Sequence, residues 1–215
     1  MRRALVLFLA SLGSAAAAPL ATRATDYSNF TMALVRAPPV NIPYPPPSDD
    51  WFGQMHDINA TVDFGIKLIK RAALEGANFV AFPELWFPGY DFIVAVMNMY
   101  VLTRSFRYIN TEYQASDFLS NYFNQGITVG DCNWKKLVAA AQDNKVWLEF
   151  GFAQLKGDYI YMAQGLIDST GNVVQVRQKL RPSGGERSIF SDGTIDELVV
   201  HQTPFGRLGM LECWE

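Results

Sequence analysis

Between Asp57 and Glu84 the hydrophobic pattern changes period once, and that change restricts the folds open to this chain. Ile58, Val62, Ile66, Ile69 and Ala73 recur at helical spacing, with Lys67, Lys70 and Arg71 on the polar side. Gly76 stops that helix. Asn78-Phe-Val-Ala-Phe82 follows as a short apolar run, the pattern of a buried strand, closed by Pro83 and Glu84. Phe30 to Ala37 reads as an earlier strand. Strand, helix and strand at this spacing make an α/β unit. Six prolines between Pro38 and Asp50 rule out sheet or helix there and leave a rigid loop.

The rest of the chain continues in the same style. Phe92 to Arg107 reads as an apolar, aromatic helix, and Tyr113 to Phe123 carries a weaker signal. Trp134 to Asp143 is a short helix and Val146 to Phe152 a buried strand. Tyr159 to Asp168 is another strand, turned by Ser169-Thr-Gly171-Asn172 into Val173 to Arg177, because Gly and Asn accept the positive φ of tight turns. Glu197 to Gln202 and Arg207 to Cys213 form a second hairpin about Thr203-Pro-Phe-Gly206. No internal repeat is present, and the elements suit one domain.

Three side chains stand at element ends with complementary chemistry. Glu84 follows one apolar run, Lys179 follows another, and Cys213 ends a third. Each has an ordinary reading alone. An unpaired cysteine is commonly a small buried hydrophobe, Glu84 could begin a helix or join an ion pair, and Lys179 could lie on a solvated basic face. Taken together they describe covalent hydrolysis. A carboxylate draws the thiol proton, the thiolate attacks, and an ammonium balances the charge that develops. Strand C-termini are also where open α/β folds place their sites. On this reading the chain stops just past its nucleophile.

The local motifs then resemble a known family. Val80-Ala-Phe-Pro-Glu84-Leu-Trp-Phe-Pro-Gly89-Tyr90 is similar to the glutamate motif of the nitrilase superfamily of carbon–nitrogen hydrolases. Arg177-Gln-Lys179-Leu-Arg-Pro182-Ser-Gly-Gly-Glu186-Arg187 is similar to its lysine motif, and Thr203-Pro-Phe-Gly206-Arg-Leu-Gly209-Met-Leu-Glu-Cys213-Trp-Glu215 to its nucleophile motif. The resemblance is narrower still to the nitrilase and cyanide hydratase branch, and it covers residue 28 to the end. It implies an α/β fold, a four-layer α-β-β-α sandwich, here truncated after the nucleophile strand, so that 28–215 is an incomplete N-terminal part. It also implies Glu84 as general base, Lys179 as stabiliser of the tetrahedral intermediate and Cys213 as nucleophile, with Gln154 and Glu186 in support. The substrate it implies is a small nitrile or cyanide, and the full-length protein a homo-oligomer. An amidase of the same superfamily and a catalytically inactive assembly domain stay open as alternatives.

One position departs from the family pattern. Gly151-Phe-Ala-Gln154 places glutamine where many members carry a second glutamate. Gln154 keeps hydrogen-bonding capacity without charge, and is expected to hold Lys179 by its dipole. Glu149 lies on the opposite side of the same strand by period two and reads as a poor substitute.

Other classes are disfavoured. A formal charge of −3 with scattered basic residues gives no footprint for nucleic acid. Two cysteines, Cys132 and Cys213, make no disulfide framework, and Cys132, in Gly130-Asp-Cys-Asn-Trp134, has no base matched to it as Glu84 is to Cys213. His56 and His201 stand apart without a ligand cluster, so no metal is expected. Asp192-Gly-Thr-Ile-Asp196 lacks regular calcium-loop spacing and reads as a turn. No glycine loop suited to a phosphate-bearing cofactor is present, and none is expected. Met1-Arg-Arg, the apolar run Ala4 to Leu12 and the small residues Ser14 to Ala18 read as a signal peptide over 1–21, hence secretion, with organellar targeting the alternative. Asn29-Phe-Thr31 and Asn59-Ala-Thr61 are glycosylation sequons that agree with secretion.

Overall fold

The computed structural model describes residues 30–40, 56–90 and 119–215; the signal peptide expected over 1–21, the helix expected over Phe92 to Arg107 and most of the proline loop lie outside them. The strand-helix-strand unit forms as read. β1 (Met32–Leu34) and β2 (Phe79–Ala81) flank α1 (Ile58–Leu74). Asp57 caps α1 by accepting from Ala60 N at 2.9 Å, a bond whose removal costs about 1 kcal/mol. Gly76 turns the chain away at φ 90°. α2 (Cys132–Asn144) begins the same way, with Asp131 accepting from Trp134 N at 2.7 Å.

β3 (Trp147–Lys156), β4 (Tyr159–Ile167) and β5 (Val173–Gln178) complete a five-stranded sheet in the order β1-β2-β3-β4-β5. The first three strands run parallel and the last three antiparallel. The β4–β5 turn is tied by Asp168, which accepts from Thr170 N at 2.8 Å and Asn172 N at 3.0 Å. A separate ribbon, β6 (Val200–Thr203) with β7 (Gly206–Gly209), makes the second hairpin.

Strand parity sets the layers. Val80, Leu148, Phe150, Phe152, Ala163 and Ile167 face α1 and α2 and pack on Val62, Ile69, Trp134 and Leu137. Phe79, Ala81, Trp147 and Leu166 face the other way and pack on Phe205, Leu208 and Met210 of the ribbon segment. Each large apolar side chain so buried contributes about 1.5–3 kcal/mol. Helices, sheet and ribbon thus supply three layers of the α-β-β-α arrangement among the described residues.

The second hairpin is shorter than its sequence suggests. Glu197, expected to open the strand, instead ends a 3-10 turn, Ile195–Glu197, and β6 begins only at Val200. Glu197 is drawn to the free edge of β5, where its carboxylate accepts from Gln178 N at 2.5 Å and its carbonyl from Gln175 Nε2 at 2.6 Å. β7 ends at Gly209, so Cys213 lies past the strand, in a turn.

Candidate active site

Glu84 is carried by an outward loop between two rungs of one parallel ladder. Phe82 N bonds Glu149 O at 3.0 Å, and the ladder resumes only where Phe87 N bonds Gly151 O at 3.2 Å. The intervening residues cross over β3 at Gly151. A Cβ there would stand 2.5 Å from Pro83 O and 2.7 Å from Glu84 Cα. Gly151→Ala is therefore expected to push the Glu84 loop off the sheet and to cost about 1–3 kcal/mol by overpacking. Urea unfolding reads this directly, and an unchanged midpoint would contradict the close approach.

Lys179 follows β5 and is 1% exposed. Its Nζ donates to Glu84 Oε1 at 2.6 Å and to Glu186 Oε2 at 3.0 Å. Burial works against the ammonium, but the bonds to Glu84 and then Glu186 outweigh it and hold Lys179 above its ordinary value. Glu186 lies in a 3-10 turn, Gly184–Ser188, and is fixed at both oxygens. Ser183 N donates to Oε2 at 2.6 Å and Tyr90 OH to Oε1 at 2.7 Å. Burial, followed by this bond to Glu186, raises the Tyr90 hydroxyl above its usual range, which keeps it a donor.

Cys213 occupies a four-residue turn closed by Glu215 N bonding Glu212 O at 3.3 Å. Trp214 takes φ 63°, the positive value that such turns usually give to Gly or Asn at their third position. The thiol is exposed and free, as is that of Cys132 at the start of α2. Cys213 and Glu84 line one open cleft of ≈ 620 Å³ together with Glu149, Gln164 and Glu212.

The structure thus gathers Glu84, Lys179 and Glu186 by direct bonds and sets Cys213 on the cleft that Glu84 lines. Gln154 is placed differently from its expectation. Its Oε1 accepts from Gln178 Nε2 at 3.0 Å, and the second carboxylate on Lys179 comes from Glu186. Glu149, on the side of β3 opposite Gln154, lines the cleft, and its carboxyl bonds Gln164 rather than Lys179.

Sequence reasoning missed a polar row beneath the cleft. Gln164 donates from Nε2 to Glu149 Oε1 at 3.1 Å and to Leu211 O at 3.3 Å, and accepts from Arg177 Nη1 at 2.6 Å. Arg177 Nη2 donates to Glu215 Oε1 at 2.6 Å. The available signal was the spacing of Arg177 and Lys179, which by period two puts both on one face. Two carboxyls of this region sit far above their ordinary range. Burial raises Glu149 to about 8, only partly opposed by the Gln164 bond and the Arg177 charge. Burial, and next the Glu84 charge, raise Glu212 to about 8, and neither Glu212 oxygen has a hydrogen-bond partner among the described residues.

Residues 31–215 match the carbon–nitrogen hydrolase family. An aliphatic nitrilase of Rhodococcus rhodochrous is 35% identical over 159 residues, covering 74% of this chain and 38% of that protein. A cyanide hydratase of Neurospora crassa is 33% identical over 166 residues, 77% of this chain and 42% of its own length. A bromoxynil-specific nitrilase of Klebsiella pneumoniae subsp. ozaenae is 34% identical over 188 residues, 87% and 46%. The chain therefore spans less than half the length of these relatives. An amidase from Nesterenkonia sp. superposes with a TM-score of 0.56 over 86% of this chain and 56% of the amidase, at 19% identity, a likeness of fold.

Proposed function

We propose that this chain, which belongs to the carbon–nitrogen hydrolase family and to its nitrilase and cyanide hydratase branch, hydrolyses small nitriles. The observation that carries the reading is a buried ammonium held between two carboxylates, Glu84 and Glu186, with the Cys213 thiol on the cleft that Glu84 lines. The relatives named as aliphatic nitrilase and cyanide hydratase agree with it.

The chemistry follows from those positions. Glu84 takes the thiol proton, and the sulfur adds to the nitrile carbon while the nitrogen is protonated, giving a thioimidate. Glu84 then takes a proton from water as its oxygen adds to the same carbon. The negative charge that develops on the nitrogen or oxygen of the tetrahedral intermediate is balanced by the Lys179 ammonium, which is fixed before reaction and so needs little reorganisation. Protonated nitrogen leaves as ammonia and a thioester remains. A second water, activated in the same way, releases the carboxylic acid and restores the thiol. If sulfur leaves the tetrahedral carbon before nitrogen does, the product is the amide.

Ammonia release from a panel of aliphatic nitriles, cyanide and the corresponding amides tests the reading. Nitrile turnover that disappears in Cys213→Ala is expected. Turnover of amides alone would replace the reading with an amidase, and no turnover of either would favour an assembly role.

A further inference from the structure

We infer that Arg177 and Glu215 are positioning residues that clamp the nucleophile turn to the lysine loop, so that the Cys213 thiol is held in register with the Lys179 ammonium. The inference rests on the hydrolase reading in taking Cys213 as the nucleophile. Glu215 is the centre of the clamp. Its Oε1 accepts from Arg177 Nη2 at 2.6 Å and from Leu180 N at 2.5 Å, and its Oε2 from Glu212 N at 2.8 Å. Leu180 is the residue after Lys179, and Glu212 is the residue before Cys213. One carboxylate therefore joins the backbones on either side of the ammonium and the thiol.

Arg177 braces that carboxylate from below. Its side chain is 1% exposed and that of Glu215 is 2% exposed, so the pair is shielded from water. Its second nitrogen donates to Gln164 Oε1 on the neighbouring strand, and Gln164 in turn donates to Leu211 O. The segment from Leu211 to Glu215 thus hangs from β4, from β5 and from the lysine loop, at one point each. Burial pushes the Glu215 carboxyl up, but the Arg177 bond and the Glu212 and Leu180 amides outweigh it and keep it below the ordinary carboxylate range. Without the clamp, the described bonds left to the segment are its 3.3 Å closing bond and the Gln164 bond at Leu211, while the positive φ at Trp214 works against its shape.

Iodoacetamide labelling of the intact chain near neutral pH, read by peptide mass, measures Cys213 against Cys132 as an internal standard. Turnover is not needed. Glu215→Gln is expected to lower the Cys213 to Cys132 ratio by on the order of tenfold, since displacements near 1 Å cost up to about a hundredfold in reaction rate. Arg177→Lys keeps the cation but loses the planar fork, and is expected to lower the ratio less. In a Lys179→Met background, where the thiol no longer has the ammonium to be aligned with, Glu215→Gln is expected to add no further drop. A lowered melting temperature with an unchanged ratio in both variants would make the pair structural and overturn the inference. An equal drop in the two backgrounds would also overturn it. A drop confined to the native background, with no nitrile turnover in any form, would sink the nitrile reading and leave the clamp standing.

Discussion

Replacing Lys179 with methionine is expected to lower nitrile turnover by at least about 10²–10³-fold, the scale set by removing one preorganised charge-stabilising donor. The reason lies in what surrounds the ammonium. Glu84 at 2.6 Å and Glu186 at 3.0 Å would then face each other across an apolar side chain. Glu186 is nearly sealed and Glu84 partly open, so water can relieve one carboxylate more readily than the other. Stripping the partner from a buried charge costs about 3–5 kcal/mol, and the partial exposure of Glu84 argues for the lower part of that range. Lys179→Arg should rescue stability better than rate, because a planar fork cannot sit where a compact ammonium meets two carboxylates. Ammonia release and urea unfolding, measured on both variants, separate the two effects. A methionine variant within threefold of the parent rate would remove Lys179 from the mechanism.

The second large effect is a loss of stability as pH rises. Glu149 and Glu212 each stand near 8 in the folded chain, against an ordinary value of 4.5. A raised folded value means that the native state holds more protons than the unfolded one between those two limits. The sign follows: the stabilisation is whole below about pH 4, declines as pH climbs, and is gone above about 8. At 1.36 kcal/mol per unit the change amounts to roughly 3–5 kcal/mol per group at most. Urea unfolding at pH 5, 7 and 9 should show the decline in the parent chain. Glu212→Gln should reduce the slope by about half, because the amide stays neutral throughout while Glu149 still titrates. The slope with pH is the relevant readout, since an amide placed where Glu212 has no hydrogen-bond partner among the described residues also costs some stability at every pH. Parallel slopes in parent and variant would refute the assignment.

Both predictions rest on groups that were unequally legible in the sequence. Element type was readable wherever period and breakers agreed. The helical spacing from Ile58 to Ala73 and the run Asn78 to Phe82 gave α1 and β2 within a residue or two. The turn at Gly171 and Asn172 gave the β4–β5 hairpin. Glu84, Lys179 and Cys213 could be picked out as candidates because their motifs are local, and a local motif survives without knowledge of its neighbours. The second hairpin was misjudged in length because a tertiary bond decided it. Glu197 satisfies the free amide of Gln178 on another strand, and no pattern within residues 195–202 announces that partner.

The sequence by itself determined the alternation of helix and strand, the face of each strand and the chemical types that follow three apolar runs, all of which follow from spacing along one chain. Tertiary structure alone decided which carboxylate sits on Lys179. Gln154 and Glu186 were both available by motif, and only the folded path from β5 into the 183–188 turn brings Glu186 to 3.0 Å while Gln178 takes the Gln154 oxygen. It also decided that Glu149 faces the cleft and that Glu215 reaches back to Arg177, 38 residues earlier. The physical reason is the same in each case. Hydrogen bonds and ion pairs act within about 3 Å, and sequence separation carries no information about which distant groups the packing of sheet, helices and ribbon will bring that close.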